Sequence, residues 1–309
     1  MLAIVCPGQG SQTPGFLAPW LELDRAHEQL SALGQAADLD LVAHGTESDA
    51  ETIKDTAVAQ PLIVAAGLVV SSALFASRDE LVGTGAVLAG HSVGELTATA
   101  LAGVITDEEA ITLVAARGRA MAHASAVTPT GMAAVLGGDP DEVLSTLEAL
   151  GLTPANVNGA GQVVAAGTLE QVAALRDAPP PKARVIPLQV AGAFHTRHMA
   201  PAVEVLAEAA AAVAPVDPST TLLSNADGTA VAGGAQALDR LVRQVSNPVR
   251  WDLCMETMLA LGVTGLIELA PAGTLVGLAK RAMRGVETLA LKSPDDLAAA
   301  RTLIDAHRS

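Results

Sequence analysis

Cysteine, basic residues and aromatics are all scarce in this chain, and each scarcity narrows the function. There are two cysteines in 309 residues, Cys6 and Cys254, with no Cys-x-x-Cys pair and no metal-ligand spacing. No metal site is expected, and the usage fits a reducing, cytoplasmic setting. Lysine and arginine total 18 against 33 aspartates and glutamates, a net charge of −15, which argues against nucleic acid and anionic membrane surfaces as partners. Tyrosine is absent and phenylalanine occurs three times, so a core must be built from Ala, Val and Leu. The first residues, Met1-Leu2-Ala3-Ile4-Val5, have no basic region of the signal-peptide kind. No internal repeat or long low-complexity tail is visible.

Hydrophobic residues make up 50% of the chain, with 28 glycines and 17 prolines. That balance suits an α/β protein with a mostly parallel sheet buried on both faces. Residues 56–77 carry no charge and are long enough to span a membrane. Gln60-Pro61, Gly67 and Ser71-Ser72 interrupt them and their flanks are acidic, so a helix buried in the core is expected, from about Gln60 to Ala76.

Two glycine-bearing stretches stand where apolar runs end. Leu2-Ala3-Ile4-Val5-Cys6 leads into Pro7-Gly8-Gln9-Gly10-Ser11-Gln12. This is no phosphate loop, because no Gly-Lys-Ser/Thr follows, and no dinucleotide fingerprint, because the third glycine is missing. A loop at the C-terminal end of a strand remains, where α/β sites gather. The second stretch, Gly90-His91-Ser92-Val93-Gly94-Glu95, lies between the apolar run 85–89 and a helical run from Leu96. Gly-x-Ser-x-Gly between strand and helix is the pattern of a nucleophile elbow, which exposes the serine hydroxyl beside free helix N–H groups.

Ser92 needs a base, usually histidine. His91 is adjacent, but successive side chains diverge at a turn, so a structural hydrogen bond suits it better. His195 is the candidate, with His198 as its rival. Asp107, Asp139, Asp141 and Asp177 all fall at helix starts or in loops, so no triad acid emerges and a dyad is expected. Arg117 shares a helix face with Met121. It admits two readings, a solvated surface cation or a buried clamp for a carboxylate.

From residue 128 to 193 the pattern becomes strand (132–136), helix (139–150), two strands about Gly159-Ala160-Gly161, helix (169–176) and strand (183–190). This βαββαβ order is ferredoxin-like. It divides the chain into a large α/β hydrolase-like body, 1–127 and 194–309, and a small subdomain, 128–193, with His195 at the return. Further on, a helix is expected over 199–213, strands over 221–224 and 263–269, and a last helix capped at Ser293-Pro294.

Five ordered motifs carry a family resemblance: Pro7 to Gln12, Gly90 to Glu95, Arg117-Gly118-x-x-Met121, Ala193-Phe194-His195 and Gln244-x-x-Asn247-Pro248-Val249-x-Trp251. Together they resemble the malonyl-CoA:acyl-carrier-protein transacylases of fatty-acid and polyketide synthesis, over essentially the whole chain. The resemblance implies a malonyl ester on Ser92, with His195 as base and then acid in a ping-pong reaction. It implies an oxyanion hole from the N–H groups of Gln9 and Val93, and Arg117 paired with the malonyl carboxylate. Met121, Phe194 and Gln244 would line the substrate site, a backbone carbonyl at Gln244 orienting the histidine. Malonyl-CoA is then the donor and the phosphopantetheine of an acyl carrier protein the acceptor, with no permanently bound cofactor and a monomeric enzyme. Phe194 matches the malonyl-type motif, whereas Gly192 departs from the histidine common in modular polyketide enzymes, which favours a free-standing enzyme. Lys280, Arg281 and Arg284 form the densest basic patch for docking an acidic carrier, or else they complement a helix C-terminus; Lys182, Arg184 and Arg197 are further possibilities. A serine thioesterase or hydrolase, and a methylmalonyl-tolerant acyltransferase, are the alternative activities.

Overall fold

A computed structural model describes residues 1–308. Among the described residues, nine strands form two sheets: β1 (Leu2–Cys6), β2 (Val87–Gly90), β3 (Thr130–Gly137), β4 (Thr153–Gly159), β5 (Gln162–Thr168), β6 (Ala183–Pro187), β7 (Val249–Arg250), β8 (Gly265–Glu268) and β9 (Glu287–Ala290). The first sheet has the order β2-β1-β8-β9, and all three pairings are parallel. Side chains alternate between its faces: Leu2, Ile4, Cys6, Leu88 and Ile267 enter one core, while Ala3, Val5, Val87, Ala89 and Leu266 enter another. Helices cover both faces, so every strand position can be apolar, as the run Leu2–Cys6 is.

The uncharged stretch forms the helix Thr56–Leu74, capped by Asp55, whose side chain accepts from the Ala57 N–H. It is long and apolar enough to cross a membrane, yet most of it lies inside the core. It packs against the helices Gly94–Leu101 and Asp107–Val127. Thr106 and Glu109 close a capping box at the start of the latter.

The second sheet has the order β6-β3-β5-β4-β7. Its first four strands pair antiparallel and belong to the segment β3–helix (Pro140–Ala149)–β4–β5–helix (Leu169–Asp177)–β6. Ala133, Val135 and Ala165 bury one face against Val143, Leu147, Val172 and Leu175 of the two helices. Met132, Val164 and Ala166 turn the other way, into the main core.

Two expectations differ from the structure, and one strand pairing adds to them. The strand expected over 183–190 ends at Pro187, with one further bond from the Leu188 N–H to the Met132 carbonyl at 2.9 Å before the chain leaves β3. Residues 221–224 form only isolated bridges, Leu222 to Leu88 and Leu223 to Ala230. There the chain turns at Asn225, whose side-chain amide donates to the Gly90 carbonyl at 2.8 Å. Finally, β7 adds in parallel to β4, so the small sheet borrows its edge strand from outside residues 128–193.

Candidate active site

The turn after β2 is held by close backbone approach. A Cβ at Gly90 would run into the backbone of Gly94, and one at Gly94 into the carbonyl of Cys6. Between them Ser92 adopts φ +51°, a left-handed conformation that costs a non-glycine residue strain. The helix Gly94–Leu101 starts immediately behind it.

Ser92 Oγ lies 2.7 Å from Nε2 of His195, across 103 residues of sequence. His195 also has a positive φ, +60°. Its Nδ1 is 2.8 Å from the carbonyl oxygen of Gln244, and its N–H donates to the carbonyl of Val245 at 3.1 Å. A carbonyl only accepts, so Nδ1 carries the proton and Nε2 is left to accept from the serine hydroxyl. No carboxylate touches the imidazole among the described residues. Burial, together with the nearby Arg117 charge, pushes the His195 pKa down to about 3. The ring is therefore neutral at physiological pH, as a base must be.

Arg117 is buried, with 1% exposure. It donates to Gln60 Oε1 at 2.6 Å, to Gln244 Oε1 at 2.8 Å and, at the limit of hydrogen-bond distance, to Ser92 Oγ at 3.5 Å. All three acceptors are neutral. Burial lowers the Arg117 pKa to about 10, partly offset by the charge of Glu95, and the guanidinium stays charged. By hydrogen bonds among the described residues, Glu95 reaches Arg117 through Gln244, whose Nε2 donates to Glu95 Oε2 at 2.8 Å. Burial raises the Glu95 pKa to about 7 against hydrogen bonds that lower it.

The glycine loop after β1 lies against this turn. The His91 N–H donates to the Cys6 carbonyl at 3.0 Å, and a Cβ at Gly8 would sit 2.8 Å from the His91 carbonyl oxygen. Gln12 pins the loop by accepting from the Gly10 N–H at 2.8 Å and donating to the Ile53 carbonyl at 3.0 Å. The Gln9 side chain donates to the Lys54 carbonyl. Neither the Gln9 nor the Val93 backbone N–H meets a protein acceptor among the described residues.

The remaining sequence candidates divide. Phe194 is buried beside His195 in the main core. Met121 reaches the site indirectly, its sulfur accepting from Gln60 Nε2 at 3.5 Å. His91 pairs with Asn158 of β4 at 2.9 Å and sits edge-on to Trp251, a structural role. His198 lies in a single 3₁₀ turn, Arg197–Met199. Lys280, Arg281 and Arg284 are exposed around the end of the helix Thr274–Ala282, where Arg281 contacts Gln162 at 3.4 Å. No described contact links them to Ser92. Sequence reasoning missed Gln60, Asn225 and the position of Glu95. Gln60 carried a signal: a lone amide in an uncharged helix must find a buried partner.

This chain belongs to the acyl transferase domain family, whose model matches residues 3–299. Within that family, it is similar to malonyl CoA-acyl carrier protein transacylases of several bacteria. It is 56% identical over 297 residues to the malonyl CoA-acyl carrier protein transacylase of Mycobacterium tuberculosis strain H37Rv, covering 96% of this chain and 98% of that protein. The crystal structure of the transacylase MCAT from M. tuberculosis superposes with a TM-score of 0.94, covering 97% of this chain and 99% of that one. A malonyl-transacylase solved in complex with a type II polyketide acyl-carrier protein superposes with a TM-score of 0.87 at 30% identity, covering 97% of this chain and 98% of that one.

Proposed function

We propose that this acyltransferase moves a malonyl group from malonyl-CoA to the phosphopantetheine thiol of an acyl carrier protein, through an ester on Ser92. The observation that carries the choice of acyl group is Arg117: a buried cation, held by neutral amides, 3.5 Å from the serine oxygen. Such a cation is under-compensated and favours a substrate that brings a carboxylate with it.

In this reading His195 Nε2 takes the Ser92 proton as Oγ attacks the thioester carbonyl. The unpaired N–H groups of Gln9 and Val93 receive the oxyanion, where a single donor is worth about 3–4 kcal/mol of transition-state stabilisation. As the tetrahedral intermediate collapses, the C–S bond breaks and the imidazolium returns its proton to the departing CoA sulfur. The carrier thiol then repeats the sequence in reverse. Gln244 serves twice, its backbone carbonyl fixing the histidine tautomer and its side chain holding Arg117. No acidic third member is required.

The left-handed Ser92 between β2 and its helix supports the nucleophile-elbow reading of a hydrolase-like body, 1–127 with 194–309. The β6-β3-β5-β4 order, fourth-first-third-second in the chain, supports a ferredoxin-like small subdomain over 128–193. Buried, unpaired Cys6 and Cys254 support a reducing, cytoplasmic setting. The basic residues Lys280, Arg281 and Arg284 are proposed as a carrier-docking patch, and the enzyme as a monomer without a resident cofactor.

The test is incubation with malonyl-CoA and competing acyl-CoAs, read by intact mass, then addition of carrier protein. A malonyl adduct that needs Ser92 and passes to the carrier supports the reading. An adduct lost to water at the same rate with or without carrier makes the protein a hydrolase instead.

A further inference from the structure

Glu95 stands in the first turn of the serine helix, 3% exposed, and its carboxylate bonds neither Ser92 nor Arg117 among the described contacts. Its Oε2 accepts from Gln244 Nε2 at 2.8 Å and from the Asn225 N–H at 3.3 Å. The buried Ser224 also favours the charged form of the carboxylate. Asn225 is anchored in turn to the Gly90 carbonyl and accepts from Gln244 Nε2 at 3.3 Å. The cluster is therefore sealed and tied to the turn that carries the nucleophile.

The side-chain amide of Gln244 could in principle sit either way round. One way places its oxygen on the Arg117 guanidinium at 2.8 Å and its NH2 on Glu95. The flipped way would set NH2 against a guanidinium that has no acceptor, and an oxygen against a carboxylate. Both contacts would be repulsive and buried. The acceptor at Glu95 thus decides which face of Gln244 meets Arg117.

We propose that Glu95 is a positioning residue for carboxylate-bearing acyl groups: by fixing the Gln244 amide, it aims Arg117 at the acyl group carried on Ser92. The assignment rests on the malonyl reading above. It also explains why a glutamine stands between two opposite charges. A carboxylate bonded directly to Arg117 would occupy the guanidinium fork that the substrate needs. Through Gln244, Glu95 orients the arginine and leaves that fork facing the serine.

The experiment compares wild type, Glu95→Asp and Glu95→Gln for transfer of malonyl and of acetyl from their CoA thioesters, with KM and kcat separated. Aspartate keeps the charge but withdraws the oxygen by one methylene. Glutamine keeps an oxygen at the Oε2 place and can give its NH2 to the Ser224 hydroxyl. Glu95→Asp should raise KM for malonyl-CoA by about tenfold or more while acetyl transfer changes by about threefold or less. Glu95→Gln should stay within about threefold of wild type for both acyl groups. Equal losses for malonyl and acetyl in Glu95→Asp, or a Glu95→Gln enzyme as malonyl-impaired as Glu95→Asp, overturns the assignment. A wild type that never acquires malonyl on Ser92 removes instead the reading on which it rests.

Discussion

Arg117 and Gln244 meet through a guanidinium N–H and a neutral amide oxygen 2.8 Å apart, so the cation is held in place without being neutralised by contact. A charge-assisted hydrogen bond to an incoming carboxylate is worth about 1.5–3 kcal/mol, or roughly 10- to 100-fold in specificity. Arg117→Ala should therefore lower kcat/KM for malonyl-CoA by about that factor and cost acetyl-CoA far less. Steady-state kinetics with the two donors checks it, and equal losses would remove the clamp role.

The buried imidazole of His195 makes stability depend on acidity in a definite direction. Its pKa is about 3 in the fold, against 6.5 for an exposed histidine. Between those values the unfolded chain binds a proton that the native protein refuses, so stability rises with pH across that window. The contribution is fully present above pH 6.5 and is lost as pH falls toward 3. Glu95, raised to about 7 from 4.5, works oppositely: its contribution is present below 4.5 and lost as pH rises toward 7. His195→Gln removes the first group and keeps the second. Thermal melts at pH 8 and pH 4.5 should show wild type losing more on acidification than the variant, and parallel losses would contradict this.

Phe194 stands immediately before His195 and is buried. Excluding one methyl from such a pocket is worth about 1–3 kcal/mol. Phe194→Val should narrow the preference for malonyl over methylmalonyl by about tenfold or more in a competition between the two CoA esters. An unchanged ratio in a folded variant would place the discriminating contact elsewhere.

Two glycines offer opposite outcomes for one methyl group. At Gly94 a Cβ would enter the Cys6 carbonyl, and neither backbone can yield, so Gly94→Ala should cost more than about 3 kcal/mol or prevent folding. At Gly277, inside the helix Thr274–Ala282, a Cβ meets nothing within 4 Å. Gly277→Ala should stabilise by about 0.5–1 kcal/mol. Urea denaturation of the two variants measures both.

The pair that meets across the site, Ser92 and His195, was legible in the sequence. Ser92 was flanked by glycines between a strand and a helix, and His195 followed the return from a βαββαβ segment. The buried strand Leu2–Cys6 and the buried helix from about Gln60 were equally plain, because apolar runs and missing charge are local signals. What stayed hidden depends on distant pairing. A two-residue strand such as β7 has no periodicity to detect. Gln60, Asn225 and Glu95 are polar residues whose meaning lies chiefly in partners 57 to 149 residues away. The expected strand at 221–224 failed for a related reason: the segment is diverted to hold the serine turn instead of extending a sheet.

The span of these contacts bears on how the protein is made. A chain emerging from the ribosome exposes the serine turn long before Gln244 exists. Until Gln244 arrives, His195 has no carbonyl to set its tautomer and Arg117 lacks one of its two amides. The serine turn is thus complete in sequence well before the residue that sets the histidine tautomer and holds the arginine, and the site is assembled only once Gln244 has joined it.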